Sequence, residues 1–105
     1  VIVLELGDGL FGPYGVNALL TDDAFRNAIS AHLLCAHDPV GAWGAVRHLK
    51  ESFGIRPTLV TGPVTDTQVG IGYCREQLDL PAANALLDPG ALASVLEPLF
   101  TGAVA

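Results

Sequence analysis

The chain has no methionine, a single tryptophan and only five lysine and arginine residues in 105. So few cations exclude a nucleic-acid binder, because neutralising phosphates takes a basic patch. The formal net charge of −6 also disfavours anionic membrane surfaces. No apolar run approaches the ~18 residues that a membrane span needs, and no basic start marks a signal peptide. Cysteine is scarce as well. Cys35 and Cys74 stand far apart and read as reduced, buried thiols of a cytoplasmic protein, not as a disulfide framework. The G-x-S-x-G elbow is missing, and Ser30, Ser52 and Ser94 sit in helical contexts, so a Ser-His-Asp enzyme is not expected. There is no initiator methionine either. The chain opens inside an apolar run that reads as a core strand, so residues 1–105 are expected to be one domain from the C-terminal part of a longer polypeptide.

Half of the residues are apolar, which is enough for one globular core. VIVLEL, residues 1–6, is apolar on both faces, as a buried parallel strand would be. A glycine-rich loop, GDGLFGPYG, follows. One helix or two short ones are expected over residues 16–29, with Thr21, Asp22 and Asp23 as the break. A second strand is expected over 31–37. Asp38-Pro39 then reads as an N-cap with proline at the first helical position. The helix over 40–53 carries Ala42, Ala45, Val46, Leu49 and Phe53 on one stripe, and Gly54 closes it. A third strand falls near 58–61, and the Thr65 to Gln68 segment starts a helix running to about Leu78. A short fourth strand or extended segment is expected over 81–85. Asp88-Pro89 repeats the cap and leads to a helix carrying Leu92, Val95, Leu96 and Leu99. The alternation predicts a Rossmann-like, three-layer α/β/α sandwich with a mainly parallel sheet of about four strands. Its polar loops would gather beyond the carboxyl ends of the strands.

Three constellations could carry chemistry. Gly7-Asp8-Gly9-Leu10-Phe11-Gly12 matches G-x-G-x-x-G between a strand and a helix, so Gly7, Gly9 and Gly12 are candidates to hold the pyrophosphate of NAD(P). Pro13 interrupts the helix start, and Asp38, the acid that follows, reads as a cap. An empty glycine turn is the alternative. Glu5, alone on an apolar strand, and Asp8 beside it are candidates for catalysis. Glu5 is also placed to hold a hydrated Mg²⁺ next to phosphates, or else to face solvent or pair with an arginine. Thr61, Thr65, Asp66 and Asn84 line one expected edge. Thr61 and Asn84 could touch a base or ribose, or tie two loops together. His32, Cys35 and His37 lie close in sequence but alternate across a strand, which makes a shared metal awkward.

With these residues assembled, the chain resembles the C-terminal half of dethiobiotin synthetase-like P-loop ATPases, a group that includes cobyrinic acid amidation enzymes. VIVLELGDGLFGPYG is similar to their strand ending in Glu-Gly-x-Gly-Gly, with Glu5 at the glutamate and Gly7 and Gly9 in the glycine loop. HLLCAHDPVGAWGAVRHLKESFGIRP, PTLVTGPVTD and YCREQLDLPAANALLDPGALA follow the order of the later elements. The chain departs at Leu6, where the family has glycine, at Thr61-Gly62, where it has asparagine, and in lacking G-x-x-x-x-G-K-[ST]. The resemblance implies ATP and Mg²⁺ as cofactors, with Glu5 helping to place the metal or a small-molecule substrate. It implies that the loop after Pro81 borders the base. It also implies a missing N-terminal domain of the same protein that carries the phosphate-binding lysine, so that this portion is inactive alone. The alternatives are a NAD(P)-binding domain and a non-catalytic α/β module that forms a homo-oligomer.

Overall fold

Gly15, left-handed at φ 104°, ends the N-terminal loop and begins α1 (Val16–Thr21) in a computed structural model that describes residues 1–102. Asp22 is extended. It closes α1 and caps α2 (Asp23–Asn27) by accepting from the Phe25 N–H at 2.9 Å. One short polar side chain therefore splits the expected helical stretch in two. β1 (Leu33–Cys35) leads to α3 (Pro39–Phe53), which Asp38 caps through the Gly41 N–H at 2.7 Å and Gly54 ends at φ 66°. Then come β2 (Leu59–Thr61), a 3₁₀ turn (Pro63–Asp66), α4 (Gln68–Gln77) capped by Thr67, and α5 (Pro89–Glu97) capped by Asp88. A π turn, Pro98–Gly102, follows α5. Part of the expected tail over 101–105 lies outside the described residues.

The strands are parallel, with Leu33 opposite Leu59 and Cys35 opposite Thr61. A single parallel bridge joins Val60 to Ala82 on the other side of β2. This corrects the expected three-layer sandwich with a four-strand sheet. Among the described residues the protein is a small α-rich domain with two three-residue strands. Two physical reasons account for the difference. Residues 1–6 join no ladder, and Val1, Ile2 and Val3 are 97%, 93% and 90% exposed. An apolar sequence becomes a parallel strand only when both faces are covered, and nothing among the described residues covers Val1, Ile2 or Val3. At the other end, Pro81 has no N–H to donate. Asn84 then turns the chain by accepting from the Leu86 and Leu87 N–H groups at 2.9 and 2.8 Å, so the segment adds one bridge and stops.

Two apolar clusters form the core. The larger holds Val60, Ala42, Cys74 and Ala82. The smaller holds Val16, Leu20, Leu49 and Ile55, with Leu6 and, from the glycine loop, Leu10 against it. α4 is held close to the 3₁₀ turn, because a methyl group on Gly70 would sit 1.8 Å from the Val64 carbonyl oxygen. No residue of α5 is buried. No helix among the described residues is long and apolar enough to cross a membrane. Cys74 is buried as expected, Cys35 is exposed against the expectation of a buried thiol, and neither is in a disulfide.

Candidate functional site

The loops after β1, β2 and Ala82 converge, as expected for parallel strands joined by helices. The Val64 N–H donates to the Ala36 carbonyl at 3.0 Å, which brings the loop after β2 onto the end of β1. Gly62 makes that approach possible. Its φ is 87°, and a methyl group there would lie 2.9 Å from the Ala36 oxygen. The Asn84 amide donates to Asp66 Oδ1 at 2.8 Å, and Thr61 Oγ1 accepts from the Ala85 N–H at 3.3 Å. Thr65 Oγ1 donates to the Gly62 carbonyl at 2.6 Å. Thr61, Thr65 and Asn84 are buried, so their polar atoms order this edge from within. The edge presents backbone, the exposed Asp66 carboxylate and the exposed side chains of Val69, Leu86 and Leu87 to solvent. Beside it, Pro39, Val40, Trp43 and Tyr73 line an open apolar groove of about 240 Å³.

Glu5, Gly7, Asp8, Gly9 and Gly12 share a different place. Their loop coils around the Asp8 carboxylate, whose Oδ2 accepts from the Tyr14 N–H at 2.9 Å. A methyl group on Gly12 would meet that same oxygen at 1.9 Å, so the coil requires glycine there. Gly9 takes φ 82°. Glu5 is exposed. The loop rests on the second half of α3, where Phe11 stacks on His48 with ring centroids 4.6 Å apart. That is the end of α3 remote from Asp38. Of the polar loops expected beyond the strand ends, those after β1, β2 and Ala82 gather there and the glycine loop does not. Thr61 and Asn84 are brought together, while Glu5, Asp8 and the glycines form a second group.

Glu5 and Asp8 fit an ion such as Mg²⁺ only in part. That ion takes one or two carboxylates and completes its shell with water and phosphate oxygens. No set of three or more His, Cys, Asp or Glu side chains that could hold a metal occurs among the described residues.

Two features had little signal in the sequence. Ser52 Oγ lies 3.2 Å from His48 Nδ1, and Asn17 Oδ1 lies 3.4 Å from His48 Nε2. The spacing of Ser52 and His48 along one helix marks them as neighbours, but Asn17 arrives from α1 with no local cue. A hydroxyl, an imidazole and an amide in a row resemble a nucleophile with its base. Ser52 lies inside α3, however, where the neighbouring backbone N–H groups bond within the helix instead of facing an oxyanion. The second feature is a shallow cavity of about 250 Å³ among Arg26, His32, Gly54 and Arg56, at the opposite end of the strands. Burial pushes the His32 imidazole below its ordinary 6.5. Both arginines are engaged: Arg26 pairs with Asp23, and Arg56 donates to the Asp79 carbonyl at 2.5 Å.

No protein-family model matches the chain, and neither a curated protein nor a solved structure matches it.

Proposed function

We propose that this chain is the nucleotide-proximal portion of a larger ATP-dependent enzyme of the cytoplasm, inactive without a phosphate-binding loop supplied by another domain. The observation that carries this reading is the convergence of three loops at the carboxyl end of parallel strands, tied by the Asn84 to Asp66 hydrogen bond at 2.8 Å. That is the place where open α/β sheets take ligands. The chain would offer the base a surface of backbone groups and apolar side chains around Thr61 and Asn84. It holds no lysine in a P-loop context, so the phosphates would be held from outside. Mg²⁺, when bound, would neutralise charge developing on the transferred phosphoryl group. Glu5 and Asp8 would serve it or a small-molecule substrate from the N-terminal side.

The test is an amide-resolved NMR titration with Mg·ATP and, separately, with NADH. The expected result is weak, saturable shifts confined to residues 61–67 and 84–88 with Mg·ATP. Shifts confined to residues 7–15 with NADH would replace this reading with a dinucleotide site. No shift at roughly millimolar ligand, where even a −4 kcal/mol interaction is half-saturated, would remove nucleotide binding by this chain altogether.

A further inference from the structure

The shallow cavity at the amino ends of the strands gathers cations that are scarce elsewhere. The chain has five lysines and arginines. Arg26 and Arg56 both line this cavity, together with Asn27 and His32. These residues come from separate places: the end of α2, the position before β1, and the segment after α3. The Asn27 amide and the His32 imidazole have no hydrogen-bond partner among the described residues. Both arginines also keep donors in reserve. A guanidinium has more N–H groups than these two spend. Arg26 donates to the Leu20 carbonyl and to Asp23, and Arg56 donates to the Asp79 carbonyl.

The neighbouring negative charges hold the arginines loosely. The Asp23 side chain is 84% exposed, and the Asp79 carboxylate, 96% exposed, stands 3.8 Å from Arg56. Exposed pairs of this kind contribute little, so either arginine is available to a better acceptor. The C-terminal end of α3, at Phe53 and Gly54, also faces the cavity. A helix end carries about half an elementary negative charge. The Gly54 and Ile55 N–H groups already occupy the Lys50 and Leu49 carbonyls there. The full charges of two arginines outweigh what is left.

We propose that this cavity binds a small oxyanion, a phosphate or carboxylate group, held by Arg26 and Arg56 with Asn27 and His32 as further donors. Guanidinium groups match such oxyanions in geometry as well as charge. Burial keeps His32 below its ordinary 6.5, and a bound anion would act against that by favouring the imidazolium. The cavity, about 250 Å³, is smaller than the ~300–1,000 Å³ of sites that enclose drug-sized ligands. Its occupant is therefore a free small ion or the charged end of a larger molecule. The nucleotide edge lies at the other end of the strands, so this inference stands or falls independently of the proposed function.

The experiment titrates the full chain with inorganic phosphate and, separately, with malonate, at an ionic strength held constant with chloride, and follows the amide NMR shifts. Saturable shifts are expected at residues 26–27, 32 and 54–56, and the tighter of the two probes names the group. Arg56→Gln should weaken binding about tenfold, as the loss of a charge-assisted hydrogen bond does. The Arg56 side chain is 66% exposed, so the variant should keep the wild-type spectrum elsewhere. Arg47→Gln is the control, because Arg47 pairs with Glu51 and does not line the cavity. It should leave the affinity unchanged. The absence of saturable shifts with either probe by roughly 10 mM, beyond the millimolar range of weak specific sites, overturns the proposal. So does a loss of affinity in Arg47→Gln as large as that in Arg56→Gln, which would mean general attraction to exposed arginines. Shifts spread evenly over the surface overturn it as well.

Discussion

The Asn84 side chain bridges two loops that are distant in sequence, donating to Asp66 Oδ1 at 2.8 Å while its own oxygen receives two backbone N–H groups. Asn84 is only 6% exposed, whereas the donors belong to the exposed residues Leu86 and Leu87, which water reaches when the side chain is removed. Asn84→Ala should cost about 1–2 kcal/mol, since its hydrogen bonds are lost but its partners are resolvated. Asn84→Asp should be worse still at neutral pH, where two carboxylates would meet. It should recover as pH falls toward the carboxylate range near ~4. Urea denaturation at both pH values measures this.

Two glycines of α4 should respond in opposite directions. Gly70→Ala drives a methyl group into the Val64 carbonyl, and backbone cannot swing aside as a flexible side chain can. We expect a loss of about 2–4 kcal/mol. Gly72 has open space around its Cα, so Gly72→Ala should raise stability by about 0.5–1 kcal/mol through helix propensity. Thermal melts of the two variants should shift in opposite senses.

His32 gives the fold an acid sensitivity. Its folded pKa lies below 6.5 because burial disfavours the imidazolium. As pH falls below 6.5 the unfolded chain takes the proton first, so stability present at neutral pH is lost through that window. His32→Gln should flatten the pH dependence of stability between the two pKa values. An unchanged slope in a pH series of denaturation curves would contradict this.

The two thiols should behave as unlike groups. Burial pushes the Cys74 thiol above its ordinary 9.0, while Cys35 stands exposed. Thiol labelling under native conditions should modify Cys35 alone, and Cys74 only on unfolding. Stability should also fall as pH rises past 9.0, because the unfolded Cys74 ionises before the folded one. Mass spectrometry of labelled peptides reads the first effect, and the alkaline end of the pH series reads the second.

Helix boundaries were legible because they are written in short polar side chains next to prolines and glycines. Asp38 and Asp88 each cap the helix that their neighbours announce, and Gly54 ends α3 in the left-handed conformation, whereas α4 is capped by Thr67 and not by the expected Thr65, whose hydroxyl donates to Gly62. The inner face of α3 was legible too, with Ala42 and Leu49 buried as their spacing required. The sheet was not. Val1, Ile2 and Val3 are fit for a strand, but pairing is decided by a neighbour, and no pattern within six residues reveals whether one exists. The candidate site divided along the same line. The edge at Thr61 and Asn84 follows from strand-to-helix connections, which are local. The position of the glycine loop depends on Phe11 meeting His48 across the fold, and nothing near Phe11 encodes that contact.

Leu34 packs against both apolar clusters and so forms the seam between them. On one side of it, Val60 has its N–H and its carbonyl committed to Pro81 and Ala83. On the other, α1 and the glycine loop lean on Leu49 and Ile55 through a few side chains. The two sides therefore have separate thresholds for opening. In hydrogen exchange the amides of α1 and α2 should release as a set well before Val60, and a protease should find residues 28–31 while the larger cluster is still intact.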